Sequence, residues 1–582
     1  MLKDLLNEFI HHQDQYPEFD IDAMLIDNYR LKPGLYIKIN RNGDFDELYV
    51  GKKGEISAND SLVEWFKRAD FYSSLIEMNK PVDPKKKIHS NNKFSLFCKL
   101  ETFWNEGLNP QLEEHIERYF NALMTVKDKE SAEILTTAGY KPLDKKDVEE
   151  YKQLFLSSLN EVGERIRTHN IRDNCYIKLF IDEKIDAYSY ECGRYMLPKI
   201  FNCNNYNESV NGKVLGLSNT DMGMNAKKPY LEHKTTQYKV PYRIETEEAI
   251  KLWKLYIWFN GQTRDEKPLY NGYIPIGEHD PQLLAVAKEI GVRKAVFYLH
   301  FERGIEITID DFDMLPSFKD EMDRPIIFKN YLDVPNYKGG RKQKLSEVEE
   351  HINEYLFASQ LSKNYDVEKV QVTNKLSQAL AVQIMLSREA MKAWLRKGDT
   401  LPLRSCVDKI TKGVVLARLQ NLEYASALAH MLNVRLSLLN YFNEEGKDMG
   451  EIIKDAYESL KVKVLNTDKN REPVTCESNT EFCLAVGQLL YYYFSLSEAQ
   501  KISYDVLWRI ITAAKDAEGL KREQKKYFQK YAYRIDTNNP RFNNMLSIVT
   551  SYVPEKEEPA DIDALLFGFV TSNIIYLKKE DA

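Results

Sequence analysis

The chain has 582 residues, with 81 Lys and Arg against 88 Asp and Glu, a formal net charge of −7. Hydrophobic residues make up 43% and charged residues 29%, which excludes wholesale disorder, and at roughly 150 residues per domain the length suggests about three to four domains. No run of about 18 apolar residues occurs, so no membrane-spanning helix is expected, and a negative sum argues against a nucleic-acid partner only if the charge is evenly spread.

The first segment, MLKDLLNEFIHHQDQYPEFD, reads as an amphipathic helix rather than a signal peptide, because Asp4 and Glu8 interrupt its apolar stripe. Leu35 to Ile39 alternates like a strand, Asn42-Gly43 is a hairpin turn, and Glu47 to Val50 is the expected return strand. Helices are expected near 61–78, 109–126 and 146–167. Cys175–Ile181 and Ile185–Tyr190 around Asp182-Glu183-Lys184 predict a second hairpin, and Ala295–Phe301 with Ile305–Ile309 a third. Between them, 201–228 is rich in Asn and Gly and reads as a long functional loop. Thr246 is a candidate N-cap for a helix ending near Phe259.

Composition shifts at the basic, Gly-containing connector 336–342, and the pattern beyond it is helical. Ser478 followed by Glu481 is a capping box before FCLAVGQLLYYYF, and further helices are expected near 504–514, 520–534 and 562–576. The fold expected is therefore an α+β N-terminal body of mixed helices and hairpin strands, followed by an all-α C-terminal helical bundle. Three regions are expected: 1–170, a β-rich 171–345, and 346–582.

The seven cysteines, Cys98, Cys175, Cys192, Cys203, Cys406, Cys476 and Cys483, form no C-x-x-C and read as free thiols in a reducing cytosol. No P-loop, dinucleotide fingerprint, zincin or nucleophile-elbow motif occurs, so no catalytic residue is assigned. Asp310, Asp311 and Asp313 could suggest a metal, but a polar strand end has the same composition. His11 and His12 lie about 100° apart on a helix and cannot both face one ion.

Basic tracts carry more. In LKREQKKYFQKYAYR, Arg522, Lys526, Lys530 and Arg534 recur every four residues, Lys521 and Lys525 broaden the ridge, and Tyr527, Phe528 and Tyr531 lie beside it. From Leu520 to Arg541 the local charge is +5, and few acidic neighbours balance it, which favours phosphate contact over a plain solvated face. Arg388 to Arg418 also carries +5, with Arg388, Lys392 and Arg396 on one helix face. Lys85, Lys86 and Lys87 run into His89, Asn91, Asn92, Lys93 and Phe94, a mixture suited to a nucleic-acid backbone with some base contact, though a surface loop has the same look. The loop Asn219 to Tyr230 offers Asn219 and Asn225 for base edges and Lys227 and Lys228 for phosphate.

Several stretches together resemble the large subunit of the type I-B CRISPR Cascade complex (the Cas-eight-b family). They are IHSNNKFSLFCK near residue 88, NAKKPYLEHKT near 225, and AVGQLLYYYF, YFQKYAYRI, FNNMLSIV and LLFGFVTSNIIYLKK towards the end, in that family's order. The resemblance implies a cytoplasmic, non-catalytic subunit in antiviral defence. Its partners would be the CRISPR RNA, the target duplex and its displaced strand, the other Cascade subunits, a small subunit and a recruited helicase–nuclease, with no membrane. It would hold the 5′ part of the guide, recognise a protospacer-adjacent motif and promote R-loop formation, while base pairing supplies sequence specificity. On that basis Asn219, Asn225, Lys227 and Lys228 are candidates for the motif, and Lys85, Lys86, Lys87, His89, Asn91, Asn92 and Lys93 for guide RNA. Arg522, Lys526, Lys530, Arg534, Lys392 and Arg396 are candidates for single-stranded DNA.

Relatives with paired C-x-x-C knuckles bind zinc; here only Cys192 and Cys203 stand at C-x₁₀-C, so no metal and no cofactor is expected. In such systems the small subunit is often made by internal translation. Glu444-Glu445-Gly446 can be encoded by a purine-rich stretch shortly before Met449, which makes Met449 a candidate start and 449–582 a separable helical product. A metal-dependent nuclease around Asp310, Asp311 and Asp313, and a helical scaffold that binds only proteins, are the competing readings.

Overall fold

The structure, a computed structural model, describes residues 2–577 except 16–19, 53, 57–59, 105, 127, 170, 172–174, 202–203, 218–242, 265–266, 278–289, 292, 304–306, 421, 423, 444–445, 468–473, 499–503 and 557. The chain is mixed α/β, with its helices concentrated in the C-terminal half. It divides into two units, Met1–Lys288 with Phe297–Asp313, and Glu289–Val296 with Met314–Ala582. No helix among the described residues is long and apolar enough to cross a membrane.

The first unit is built on a four-stranded sheet. The hairpin Gly34–Ile39 and Phe45–Val50 forms as the Asn42-Gly43 turn predicts, with Leu35 opposite Tyr49 and Ile37 opposite Glu47. Gly34–Ile39 then pairs in parallel with Tyr176–Ile181, which in turn pairs antiparallel with Ser95–Lys99. A parallel pair needs a long crossover, and 40–175 supplies it. The strand Tyr176–Ile181 is central and nearly all buried, so it reads as an apolar run rather than an alternation. Its one charge, Lys178, is buried against Asp70 of the Asp60–Ser73 helix, and Tyr29 Oη donates to the same carboxylate at 2.9 Å. That buried pair pins the helix to the sheet.

Two expectations are corrected here. Ile185–Met196 is a helix, not the return strand of a hairpin. Tyr188, Cys192 and Tyr195 fall on its buried face at helical spacing, and the β-forming propensity of Ile and Tyr hid that period. The segment 201–228 is also not a loop throughout. Glu208–Val210 and Lys213–Gly216 pair as a hairpin about Asn211-Gly212, whose φ values of 51° and 76° are the left-handed pair that a two-residue turn demands.

Lys294–Arg303 and Ile307–Phe318 pair beside Asn271–Pro275, close to the third predicted hairpin but longer. The helix expected at 61–78 ends at Ser73, and those expected at 109–126 and 146–167 are Leu112–Met124 and Lys145–His169. Glu245, not Thr246, is the N-cap residue of the Thr246–Gly261 helix.

In the second unit the connector 336–342 is partly strand: Gly340–Lys344 pairs antiparallel with Glu321–Phe328. Helices follow from Leu345 onward. The Asn479–Ser495 helix is buried from Glu481 to Leu490 without a polar face. Ser478 caps it by accepting from Glu481 N at 3.1 Å, while Glu481 Oε2 accepts from Glu477 N at 2.7 Å, one residue earlier than an ideal capping box. The Ile562–Val570 helix crosses it at glycines. A Cβ on Gly487 would lie 2.2 Å from the Leu565 carbonyl oxygen, and one on Gly568 would lie 2.3 Å from that of Leu484. Only hydrogen fits at that crossing. Gln488 completes the junction, donating to the Gly568 carbonyl at 2.5 Å and accepting from Ile574 N at 2.8 Å.

Candidate nucleic-acid interface

The Lys85–Lys87 tract is exposed on a turn fixed from beneath by Asp83, which is fully buried. The Asp83 carboxylate accepts from the backbone N–H groups of Lys85, Lys87 and Ile88 at 3.1, 2.7 and 3.1 Å. It also takes a two-pronged pair from Arg118, at 2.8 and 3.2 Å. Burial alone would raise its pKa, but Arg118 and the three N–H donors outweigh that and hold it below the usual carboxylate range. Lys86 sits at φ 55°, and its ammonium donates to Asn79 Oδ1 at 3.2 Å. The three lysines are thus presented by a rigid turn.

The rest of that tract turns inward. His89 is buried, with Nε2 donating to the Lys86 carbonyl at 2.9 Å and Nδ1 accepting from Tyr176 Oη at 3.0 Å, and burial lowers its pKa. Asn91 Nδ2 donates to the carbonyls of Tyr72 and Ser74 at 3.0 and 2.8 Å. Asn92 donates to Ser73 Oγ at 3.0 Å and accepts from Phe94 N at 2.9 Å. Lys93 pairs with Asp147 and lies 5.1 Å from the Phe94 ring centroid. These polar atoms stitch the sheet to its helices.

The Ala517–Tyr531 helix carries the second predicted ridge. Asp516 caps it, accepting from Gly519 N at 2.7 Å, and Leu520, Gln524 and Tyr531 are buried. Arg522, Lys525, Lys526, Lys530 and Arg534 all lie on the exposed side. Lys526 pairs with Glu523 at 2.7 Å, and Arg534 pairs with Glu498. Arg522 and Lys525 have no ion-pair partner among the described residues. Tyr533, 76% exposed, stands beside Arg534, whose guanidinium is 5.6 Å from the ring centroid. Tyr533 was not singled out from the sequence; the signal available was an aromatic between two basic residues of the ridge.

The two candidates in the third tract turn inward. On the Gln378–Lys397 helix, Lys392 is 6% exposed and pairs with Asp366. Arg396 grips Glu349 with two bonds, at 2.9 and 2.7 Å. Both carboxylates come from outside the helix, so spacing along it could not reveal them. Met449 opens the Met449–Leu465 helix directly after its N-cap, Asp448, which accepts from Gly450 N at 3.1 Å. Asn219, Asn225, Lys227 and Lys228 lie outside the described residues.

Asp310, Asp311 and Asp313 lie on the Ile307–Phe318 strand, where alternation sends Asp310 to one face and Asp311 and Asp313 to the other. Among the described residues no group of three His, Cys, Asp or Glu is placed to hold a metal ion. No protein-family model matches the chain, and no curated protein or solved structure matches it either.

Proposed function

We propose that this protein is a nucleic-acid-binding subunit, and specifically the large subunit of a type I-B CRISPR RNA-guided surveillance complex. The observation that carries the binding part is the exposed cationic face of the Ala517–Tyr531 helix, with Arg522 and Lys525 free of ion pairs among the described residues and Tyr533 open beside it. Unpaired guanidinium and ammonium groups next to an exposed ring suit a single strand, whose phosphates take the charge and whose bases stack. The rigid Lys85–Lys87 turn supplies a second phosphate contact. The surveillance-complex part rests on the ordered sequence resemblance.

In this reading the chain is a cytoplasmic, non-catalytic subunit with an α+β N-terminal body and a C-terminal helical bundle. It holds the 5′ part of the guide RNA, senses the protospacer-adjacent motif through the 219–228 segment and hands opened DNA to the helical ridge. A fragment starting at Met449 is the small subunit. Co-expression with the neighbouring genes, affinity purification and sequencing of the bound RNA test it. Short RNAs of uniform 5′ sequence are expected, and their absence would overturn the surveillance-complex assignment. Replacing Arg522, Lys525 and Lys530 with Ala should lower the salt dependence of single-strand binding by about 0.7 in log–log slope per lost phosphate contact. An unchanged slope would remove the ridge from the interface.

A further inference from the structure

A cavity of about 650 Å³ opens in the second unit, where the ends of the Gln378–Lys397 and Ala425–Phe442 helices meet the Glu321–Phe328 strand. That is within the size of a small-ligand pocket. Its inner side includes Trp394, Tyr441 and Phe442. Trp394 is 1% exposed, stacks on Tyr441 at 5.8 Å and 25°, and meets Phe442 edge-on at 5.1 Å. Its indole Nε1 is buried and has no hydrogen-bond partner among the described residues. With that N–H closed off from the cavity, Trp394 is the packed floor behind Tyr441 and Phe442 and not itself a contact for a ligand.

Among the described residues the lining is cationic. Arg293, Lys319, Arg324, Lys397 and Arg404 contribute five positive charges. Glu321 and Asp323 contribute two negative ones; Asp323 is paired with Arg293 at 2.5 Å, and Glu321 lies 3.8 Å from Lys319. Arg324 is exposed, and its guanidinium lies 4.4 Å from the Tyr441 ring centroid while Nη2 donates to the Tyr441 carbonyl. A guanidinium held against an aromatic ring is a platform on which a planar base stacks.

We infer that this cavity captures one splayed nucleotide of a single-stranded nucleic acid, its base against the Arg324 guanidinium and its phosphate at the cationic rim. A duplex cannot enter a pocket of this size, because its bases stay stacked and paired. The inference shares with the proposed function only the premise that a strand reaches the protein; it needs neither the ridge nor the surveillance complex.

The test uses the full-length protein and two short fluorescent oligodeoxynucleotides of equal length, one normal and one with abasic positions. The wild type should bind the normal strand at least about fivefold more tightly, the effect of one stacked base. Arg324→Ala should abolish that preference. If Arg324→Ala weakens both strands equally, the cavity supplies charge only and base capture is overturned; if it changes neither, the site is overturned. Adenosine monophosphate binding that depends on Arg324, with no preference between the strands, would assign a free nucleotide instead and overturn the strand. Arg522→Ala/Lys525→Ala serves as comparator. Loss of binding in that variant with an intact base preference in Arg324→Ala rejects this inference and spares the ridge, and the reverse pattern does the opposite.

Discussion

Replacing Arg435 should destabilise the second unit more than replacing almost any other single side chain. Arg435 is 1% exposed in the middle of the Ala425–Phe442 helix. Its guanidinium has five N–H donors, and all five are used. Nε and Nη2 donate to the two oxygens of Asp563, each at 2.7 Å. The second Nη2 hydrogen goes to Asp408 Oδ1 at 2.6 Å, and Nη1 donates to the Asp408 carbonyl at 2.9 Å and Thr411 Oγ1 at 2.5 Å. The two carboxylates differ in weight. The Asp408 side chain is 68% exposed, so its arm is worth about 1 kcal/mol or less, whereas that of Asp563 is 17% exposed and carries the interaction.

Arg435→Ala strands Asp563 without its counter-charge and should cost about 3–5 kcal/mol. Arg435→Lys keeps the charge but loses the fork, and should cost about 2–3 kcal/mol. Asp408→Ala should change little. At roughly 2–4 °C per kcal/mol, Arg435→Ala lowers the melting midpoint of this unit by about 6–20 °C, read by calorimetry on the full chain. Arg435→Met combined with Asp563→Leu should recover a good part of the loss, because no charge is then left buried. A loss below about 1 kcal/mol for Arg435→Ala would refute the reasoning.

Gly487→Ala should cost about 1–3 kcal/mol, because its Cβ would meet backbone and not a side chain that can swing away; unfolding in urea checks it. Asp83→Ala removes the acceptor of three N–H groups and of Arg118 and should cost about 2–4 kcal/mol, while replacing Lys85, Lys86 and Lys87 together with Ala should leave stability within about 0.5 kcal/mol. His351 is buried, and burial, with the nearby charges of Lys342 and His430, pushes its pKa from 6.5 down to about 3. The unfolded chain therefore binds the extra proton first. Stability should be intact above pH 6.5 and fall progressively as pH drops towards 3, by no more than roughly 4 kcal/mol from this group. His351→Gln, which can still bond Tyr337 Oη, should blunt that acid sensitivity, and an unchanged pH profile would count against it.

What could be read from the sequence follows the range of the forces involved. The Asn42-Gly43 hairpin and the Ser478 cap are decided within a few residues and formed as expected, and the ridge of the Ala517–Tyr531 helix is exposed along its length. The same reading overlooked Asn211-Gly212, an equally strong turn signal set in a polar context. Partners far apart in the chain decide the rest. Lys178 finds Asp70, Lys392 finds Asp366 and Arg396 finds Glu349 only in three dimensions. Asn91 and Asn92 have the chemistry of base readers, but 1% exposure commits both to the core. Arg435 did leave a trace, a lone charge inside the apolar run ALAHMLNVRLSLL, which is the pattern of a buried ion pair.

The glycine crossing also bears on how the protein is made. Gly487 and Gly568 lie far apart in sequence, and at about 5–20 residues per second the ribosome takes roughly 4–16 s to get from one to the other. Throughout that interval the Asn479–Ser495 helix, whose middle is buried on every side in the finished fold, exists without the partner shaped to cover it. Such a nascent segment is a natural client for a chaperone. Slowing translation between these two glycines should therefore lower the soluble yield without changing a single residue of the finished protein.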